Sequence, residues 1–489
     1  MRAVALVLVT GCSFVYNPAN IDHSIDSNTA DVEVIADVDP TMLKLTDVWP
    51  TQVYEGAGTG GARPALVVIY GHQIAEDAVV TITPPAVKIV STTIAGDHNF
   101  IALALEADDD GLDNDGTSEP LTIGVTQRGG TYSDVLDASK LSLVHLNALI
   151  TTAVTRPLYS QIAITGPLAI AADATKPRLQ LHAIGGISIT GAVTANAAGA
   201  TPGPGGCAGG AIGADGAAQN AAMQDCAGRG HAVAGGLDGA GGGGAGFAIK
   251  GDAAPTSGGD GGDAVPSMQL ANLAASVPAG GGGGAKAAGT GGSAGGGGGG
   301  SVEITAGGDI SIPMGISANG GKAADVSGGG GGGGGAGGVI LVRSGGTATL
   351  GTLSVARGEP GSRAMNALAG NPGGAGSVGR TRVDAANVTT SNYTGPMFVA
   401  PPVVSLDQVT TLVLRGAIGE TTMTGQVIDR DGDTVSTFAP SFNGAGMTSS
   451  STTQTLKAGY NRVCVTVAGG NAFTLPESTN CTEIAFLPH

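Results

Sequence analysis

Short runs in which apolar and polar residues alternate recur along most of the chain, and this two-residue period is that of a β-strand. Between residues 39 and 148, and again between 399 and 489, the runs are bounded by turn residues and recur at the spacing of hairpins. No apolar run of 18 residues, the length that a membrane-spanning helix needs, is present. The pattern predicts an all-β protein with a β-sandwich near each end of the chain.

The middle of the chain repeats itself. Residues 162–168 match residues 187–193 at an offset of 25, and residues 187–196 match residues 310–319 at an offset of 123. Short strands at fixed offsets, joined by glycine corners, are typical of a parallel β-helix, in which each coil buries its inward side chains by stacking on the next. We therefore expect a parallel β-helix-like domain with long insertions. The alternative is a third β-sandwich, in which the similarity between the repeated segments is accidental.

Glycine accounts for 88 of the 489 residues, whereas an average protein contains about 7%. It is concentrated in two insertions of the repeating region, 197–300 and 320–338. Long insertions without apolar periodicity are typical of disordered linkers. Extended glycine segments can instead pack side by side and bond laterally at separations that no Cβ would permit. Because charged residues make up only 12% of the chain, we favour the ordered interpretation over the disordered one.

In composition, the two insertions resemble the polyglycine bundles of some phage tail-fibre adhesins and of a glycine-rich antifreeze protein. The resemblance implies extended strands, held by lateral hydrogen bonds, within the domain at 149–398. Complete exchange of the tract amides within seconds would favour loose loops instead.

The N-terminus has the features of an export signal, with one positive charge followed by seven apolar residues. Val9-Thr10-Gly11-Cys12 resembles the lipobox of bacterial lipoproteins. The resemblance implies that residues 1–11 are a signal peptide and that Cys12 carries a lipid anchor, and Ser13 implies delivery to the outer membrane. The polar segment 12–38 is then a linker. A secretory peptide with an incidental cysteine, or a start codon placed too late, is the alternative.

Four cysteines remain after Cys12, and four thiols allow three pairings. Nearness in sequence favours Cys207 with Cys226 and Cys464 with Cys481, each closing a loop that stabilises the fold by about 3 kcal/mol. A four-thiolate zinc site is the competing interpretation, although neither pair has the short spacing that structural zinc prefers. Disulfides imply an oxidising, extracytoplasmic compartment.

The first β-rich segment contains Val48-Trp49-Pro50, then Glu55-Gly56-Ala57-Gly58, then an apolar strand. This order resembles the start of the immunoglobulin-like modules called IPT or TIG, and it implies an Ig-like sandwich at 39–148. The strand pattern after a proline-marked boundary predicts a second Ig-like sandwich at 399–489. The expected fold is therefore two Ig-like β-sandwiches flanking a glycine-rich parallel β-helix-like domain.

Two acidic loops are candidate calcium sites, because Ca²⁺ takes six to eight oxygen ligands on a flexible loop. The first resembles the calcium loops of thrombospondin-type repeats, and the second resembles the Asp-rich turn of cadherin-like bacterial modules. A solvated hairpin loop is the alternative for both, since Asp and Gly are good turn residues. The candidate ligands are Glu106, Asp108, Asp110, Asp113 and Asp115 in the first loop, and Asp429, Asp431 and Asp433 in the second.

Signals of catalysis are weak. Residues 291–295 fit the nucleophile-elbow pattern G-x-S-x-G, but they lie in a glycine tract and no strand precedes them. Enzymes with a β-helix often cluster charged residues on one face. The charged residues of the repeats are dispersed in this sequence: Arg178, Glu303, Asp309 and Arg343. We therefore predict no enzymatic activity and propose no catalytic residue.

The net charge of −17 repels phosphate backbones and argues against a nucleic-acid partner. Together the features predict a lipid-anchored protein of the cell envelope, with a structural or adhesive role, that presents a glycine-rich β surface to a glycan or protein partner. The single tryptophan weakens a glycan site built on stacked rings. A β-helix polysaccharide lyase or hydrolase and a passive envelope spacer are the alternatives.

Overall fold

The computed structural model describes most of the chain from residue 42 onwards. The described residues are 42–108, 117–146, 158–219, 226, 228–232, 241–255, 258–264, 292–326, 330–362, 372–385, 387–394, 397–399, 403–408, 411–417, 423–439, 447–467 and 481–488. They form strands, turns and extended segments and include no helix, which confirms the prediction of an all-β protein. None of them belongs to a helix long and apolar enough to cross a membrane.

The described residues fall into two compact units. Unit one contains those within Met1–Ala148, Pro402–Val465 and Thr474–His489, and unit two contains those within Leu149–Pro401 and Thr466–Phe473. The two β-rich ends of the chain therefore belong to one unit, although their patterns alone predict a separate sandwich for each.

The N-terminal part of unit one consists of ten strands in three small sheets. The strands are β1 (Lys44–Trp49), β2 (Gln52–Tyr54), β3 (Ala65–His72), β4 (Val79–Thr83), β5 (Val87–Ile94), β6 (Phe100–Ala107), β7 (Ser118–Pro120), β8 (Thr122–Gln127), β9 (Tyr132–Val135) and β10 (Ser142–Val144). The sheets are ordered β1-β3-β6-β5, β2-β10-β7 and β4-β8-β9. All neighbouring strands are antiparallel except β2 and β10, which are parallel.

Strands β3 and β6 occupy the centre of the first sheet. Their apolar runs include Val67 and Ile69 on β3 and Ile101 and Leu103 on β6, all fully buried. A strand that is covered on both faces has a continuous apolar run rather than an alternating one. In the edge strand β5, the positions after the buried Val87 are instead exposed or half-buried.

Unit two is built from parallel strands that the chain lays down in successive passes. The strands are β11 (Leu158–Tyr159), β12 (Ile162–Ile164), β13 (Leu168–Ala169), β14 (Leu179–Ala183), β15 (Ile187–Ile189), β16 (Val193–Thr194), β17 (Ser301–Ala306), β18 (Ile310–Ile312), β19 (Ile316–Ser317), β20 (Val339–Ser344), β21 (Thr347–Ser354), β22 (Arg380–Asp384), β23 (Asn387–Tyr393) and β24 (Met397–Val399). Each pass adds a strand to sheet one, ordered β11-β14-β17-β20-β22-β24, and then strands to sheet two, ordered β12-β15-β18-β21-β19-β16-β13 with β23 on β21.

Residues that are related by the sequence repeat pair with each other on neighbouring strands of this stack. Ile162 pairs with Ile187, which is the offset of 25. Ile187 pairs in turn with Ile310, which is the offset of 123. The repeat therefore arises because each pass of the chain must place the same apolar residues at the same positions of the coil.

The core of unit two consists of rows of aliphatic side chains that run across the stacked strands. One row contains Leu181, Ile304, Val342 and Val383, which are paired in register and fully buried. Burying each such side chain stabilises the fold by about 1.5–3 kcal/mol relative to leaving it exposed. No single coil could bury its own row, so the stack forms as a whole.

The C-terminal part of unit one consists of two further sheets. The strands are β25 (Val403–Gln408), β26 (Thr411–Ala417), β27 (Met423–Asp429), β28 (Thr434–Phe438), β29 (Met447–Thr453), β30 (Gly459–Val467) and β31 (Cys481–Phe486). The last two residues of β30 are counted with unit two. They are ordered β25-β26-β29 and β28-β27-β30-β31. Strand β26 is antiparallel to both β25 and β29, and the pairs β27 with β28 and β30 with β31 are antiparallel as well.

The two parts of unit one share a core. Val68 and Ala102 from the N-terminal part pack in one cluster with Tyr460 and Ala485 from the C-terminal part. The hydroxyl oxygen of Tyr70 accepts the backbone N–H of Tyr460 at 3.0 Å. Hydrophobic contact and a hydrogen bond between segments about 400 positions apart make the two ends one folded body.

Candidate functional site

The glycine-rich insertions of unit two continue the coil as extended segments, which we call legs, and their assembly is the glycine bundle. The chain runs out along one leg after a strand of sheet two and returns along another into a strand of sheet one. In one such hairpin, Gly338 N–H donates to Ala318 O at 2.7 Å and Gly335 N–H donates to Gly321 O at 3.1 Å. The legs are leg 1 (195–201), leg 2 (241–246), leg 3 (292–300), leg 4 (318–326), leg 5 (330–338), leg 6 (355–362) and leg 7 (372–379).

Leg 5 is bonded to every other leg but leg 1. Its carbonyl groups accept N–H groups from three legs in turn, and the order repeats every three residues, as expected for a helix of the polyproline II type. The accepting pairs are Gly331 and Gly334 with leg 2, Gly332 and Gly335 with leg 6, and Gly333 and Ala336 with leg 3. The N–H groups of Gly334 and Gly337 donate to leg 7, and those of Gly335 and Gly338 donate to leg 4.

Most positions of this interior leg admit only glycine, Ala336 being the exception. A Cβ at Gly333 would lie 2.0 Å from the carbonyl oxygen of Gly243, and a Cβ at Gly334 would lie 2.0 Å from that of Gly358. Real Cβ contacts are essentially never below 3.0 Å. Because successive positions face different neighbouring legs, an interior leg needs glycine almost continuously, which accounts for the glycines at 330–335. The described legs are joined to one another by backbone hydrogen bonds, which is the arrangement that the ordered interpretation expects.

An outer leg needs glycine only where it faces the bundle. In leg 6, Gly358 and Gly361 lie three residues apart and are buried. Arg357, which precedes Gly358, and Glu359, which follows it, are exposed. The exposed surface of the bundle thus consists of side chains from outer legs. The glycine backbone forms its interior.

Both predicted disulfides are present. Cys207–Cys226 lies within the bundle region, where both residues are buried and the Cys207 carbonyl accepts the N–H of Gly298 at 2.8 Å. Cys464–Cys481 joins directly paired residues of β30 and β31. The first disulfide holds a connection between legs, and the second closes the loop between two neighbouring strands.

The charged residues that are dispersed in the sequence come together on the face of sheet one that points away from the core. Glu303 accepts a hydrogen bond from Gln180 Nε2 at 2.6 Å and lies 3.4 Å from Arg178 Nη2. We call this set the charged ladder, and its members are Arg178, Gln180, His182, Glu303, Arg343, Arg382 and Asp384. Asp309 does not join it, because its Oδ1 accepts the backbone N–H of Thr347 at 2.6 Å at the start of a strand of sheet two.

The charged ladder is buried except at Arg178, which is half-buried. Glu303 is 1% exposed and Asp384 is 2% exposed. Arg343 Nε and Arg382 Nε lie 3.4 and 3.1 Å from oxygens of Asp384, and desolvation lowers the pKa of Arg343. A polymeric substrate would not reach carboxylates in such positions, so the ladder has the geometry of structural ion pairs rather than of a catalytic cleft.

Ser293, the central residue of the G-x-S-x-G match, lies in leg 3. Its Oγ is buried and accepts the backbone N–H of Gly332 at 2.7 Å. The described residues, from 292 onwards, form an extended leg and not the sharp turn and helix that a nucleophile elbow requires. The motif therefore arises from the glycine composition of the bundle.

The first acidic loop is described only in part. Asp110, Asp113 and Asp115 lie outside the described residues, as does Cys12 at the N-terminus. Of the two ligand candidates that are described, Asp108 forms an ion pair with Lys88. The calcium prediction at this loop stays a prediction.

The second acidic loop is a turn organised around Asp429. Asp429 Oδ1 accepts the backbone N–H groups of Asp431 at 2.9 Å and Asp433 at 3.0 Å, and Oδ2 lies 2.5 Å from Lys457 Nζ. These hydrogen bonds, that of Lys457 foremost, lower the pKa of Asp429. Within the described part of the chain, no three His, Cys, Asp or Glu side chains are grouped as a metal site would require.

The exposed face of sheet two carries a row of hydroxyl groups. Ser188, Ser311, Thr349 and Thr389 are paired in register on β15, β18, β21 and β23, and all four are exposed or half-buried. Neighbouring parallel strands are about 4.8 Å apart, so the hydroxyls repeat at this spacing. We call this row the hydroxyl ladder. It is uncharged in a protein whose net charge is −17.

Unit one contains one further cluster of ionisable side chains, which the alternation of apolar and polar residues in the sequence does not indicate. His145 is buried, with Nδ1 2.8 Å from Glu55 Oε1 and Nε2 3.4 Å from Glu119 Oε2. In the sequence it is a single histidine without a motif. Only the pairing of β10 with both β2 and β7 brings the three residues together.

Comparison of the chain with protein-family models, with curated proteins and with solved structures returns no significant match.

Proposed function

We propose that the protein is a lipid-anchored component of the bacterial cell envelope with a structural or adhesive role. The observation that carries this proposal is the glycine bundle, in which lateral hydrogen bonds and a buried disulfide hold the described parts of the long insertions in a close-packed lattice. Such a lattice is rigid because each leg is bonded to several neighbours, and rigidity suits a module that displays a surface. The two disulfides suit an oxidising, extracytoplasmic compartment.

We propose that the parts of unit one are Ig-like sandwiches and that unit two is a glycine-rich parallel β-helix. The antiparallel sheets of unit one and the Trp49-Pro50 segment support the first assignment. The parallel registers at offsets of 25 and 123 support the second. Folds of these classes present surfaces on rigid frameworks, but neither identifies a ligand.

The contact surface that we propose is the hydroxyl ladder with the outer legs beside it. Most glycines of the described legs are buried, Gly199 being exposed, so a partner would chiefly meet the side chains around them. Hydroxyl groups donate and accept hydrogen bonds, and a neutral face does not repel a neutral or acidic partner. A glycan or a protein surface rich in hydrogen-bonding groups fits this chemistry.

Binding of the purified protein to insoluble glycans and to whole cells tests the surface. Thr349→Lys places a long charged side chain at the centre of the ladder, and we expect it to lower binding at least several-fold. Ser139→Lys, at an exposed turn of unit one, is the matched control and should bind as the wild type does. Equal binding of both variants would exclude the hydroxyl ladder as the contact surface.

Deletion of the gene separates adhesion from a purely passive spacer, since loss of an adhesin reduces attachment and loss of a spacer does not. The polysaccharide lyase or hydrolase is disfavoured because the charged ladder is buried. Release of reducing sugar or unsaturated product from an acidic glycan would instead support the lyase or hydrolase function.

Anchoring and orientation need their own experiments, because Cys12 lies outside the described residues. Radiolabelled palmitate should label the protein, and globomycin should block its maturation. A Cys12→Ser variant should stay unlabelled. Protease treatment of intact cells should remove the protein if it is displayed outwards, and protection would place it on the periplasmic side.

A further inference from the structure

The small sheet β2-β10-β7 of unit one is joined at one end by side chains as well as by its strand pairing. His145 follows β10 directly, Glu55 follows β2 directly, and Glu119 lies on β7. The backbone N–H of His145 donates to Thr117 O at 2.9 Å, and Glu55 Oε2 accepts the backbone N–H of Leu146 at 2.9 Å. Three strands distant in sequence are therefore tied at the His145 ring.

The ring has a carboxylate at each of its nitrogens. Nδ1 lies 2.8 Å from Glu55 Oε1 and Nε2 lies 3.4 Å from Glu119 Oε2, and the His145 side chain is 3% exposed. An ionised carboxylate only accepts hydrogen bonds, and a neutral imidazole has a single N–H donor. Only the imidazolium can donate from both nitrogens. A neutral ring would face one of the two carboxylates with a lone pair.

We propose that His145 is a proton-dependent clasp: the protonated ring holds the end of β10 to Glu55 and Glu119, and loss of the proton loosens this sheet. The boundary between the two units falls after Ala148, three residues beyond His145. The clasp thus lies where the chain leaves the first part of unit one. This inference is independent of the adhesive role.

Among the described residues, the charged groups that face the ring are Glu55 after β2 and Glu119 on β7. Burial acts to lower the pKa of His145, but the hydrogen bonds and negative charges of Glu55 and Glu119 outweigh it and raise the pKa. A raised folded-state pKa stabilises the fold below the unfolded value of about 6.5. This stabilisation is lost as the pH rises through the folded-state pKa.

Urea unfolding of the full chain at several pH values between about 5.5 and 9 tests the clasp. Trp49, the only tryptophan of the chain, lies in unit one and reports its unfolding by fluorescence. The unfolding equilibrium constant should be larger at pH values above the folded-state pKa of His145 than at pH values below about 6.5. The increase should be about tenfold for each unit by which the folded-state pKa exceeds about 6.5. His145→Gln should lose this pH dependence. His72→Gln, at an exposed position of β3, is the matched control and should keep it.

Two further measurements keep the test decisive if His145→Gln does not fold. NMR titration of the wild-type protein should show a histidine ring with a pKa above about 6.5. Glu119→Gln removes one carboxylate and leaves the ring and Glu55 in place, so the pKa of that ring should fall. The proposal is overturned if His145→Gln keeps the wild-type pH dependence, or if no ring titrates above the ordinary value.

Discussion

Gly333→Ala tests the close packing of the glycine bundle with a single added carbon atom. Gly333 lies in leg 5, and its Cβ would lie 2.0 Å from the carbonyl oxygen and 2.4 Å from the carbonyl carbon of Gly243 in leg 2. Both of these atoms belong to the backbone, so no side chain can rotate away. The two legs must separate by at least about 1 Å.

The cost follows from what this separation breaks. Leg 5 and leg 2 are joined by hydrogen bonds from Gly242 to Gly331 and from Ala245 to Gly334, both 3.0 Å long. Each contributes about 0.5–1.5 kcal/mol net, and overpacking adds about 1–3 kcal/mol. Replacing glycine by alanine also lowers the conformational entropy of the unfolded chain, and this offsets the loss by about 0.4–1 kcal/mol. We expect the free energy of unfolding of unit two to fall by about 2–5 kcal/mol.

Calorimetry and amide hydrogen exchange measure this effect. The melting temperature of unit two should fall by about 2–4 °C for each kcal/mol lost, and the amides of legs 2 and 5 should exchange faster. Ala324→Ser is the matched control, since it also adds one heavy atom to a leg, at an exposed position of leg 4. Wild-type melting and exchange in Gly333→Ala would refute the reasoning, because a lattice with room for a Cβ is not close-packed.

Three other perturbations test separate contacts. Cys226→Ser opens the disulfide of the bundle and should lower the free energy of unfolding by about 2–4 kcal/mol, with faster amide exchange in leg 3; unchanged exchange would contradict its role as a staple. Tyr70→Phe removes the acceptor of the Tyr460 N–H and should cost about 1–3 kcal/mol by urea unfolding of unit one, whereas an unchanged midpoint would argue against the shared core. Lys457→Met removes the main cause of the lowered pKa of Asp429, so the stability that this carboxylate contributes should disappear at a higher pH during acid unfolding; coincident acid curves would disprove this.

The sequence alone indicates the architecture of unit two because stacking imposes a repeat. Each coil must place apolar residues where the previous coil does, so Ile162, Ile187 and Ile310 recur at the offsets that the strand registers then show. The glycine pattern is informative for a similar reason. A leg surrounded by other legs needs glycine almost everywhere, whereas an outer leg such as 355–362 needs it at every third residue. The spacing of neighbouring cysteines likewise predicts both disulfides.

Other features depend on contacts between residues that no local pattern connects. The order of the legs in the bundle, the shared core of Tyr70 and Tyr460, and the position of His145 between Glu55 and Glu119 are of this kind. Periodicity records which face of a strand is buried, but it does not record which distant strand covers that face. The sequence by itself therefore determined the strands, the coil repeat and the need for glycine. Only the tertiary structure decided which charged and aromatic side chains meet, because their partners lie far away along the chain and are chosen by the packing of whole sheets.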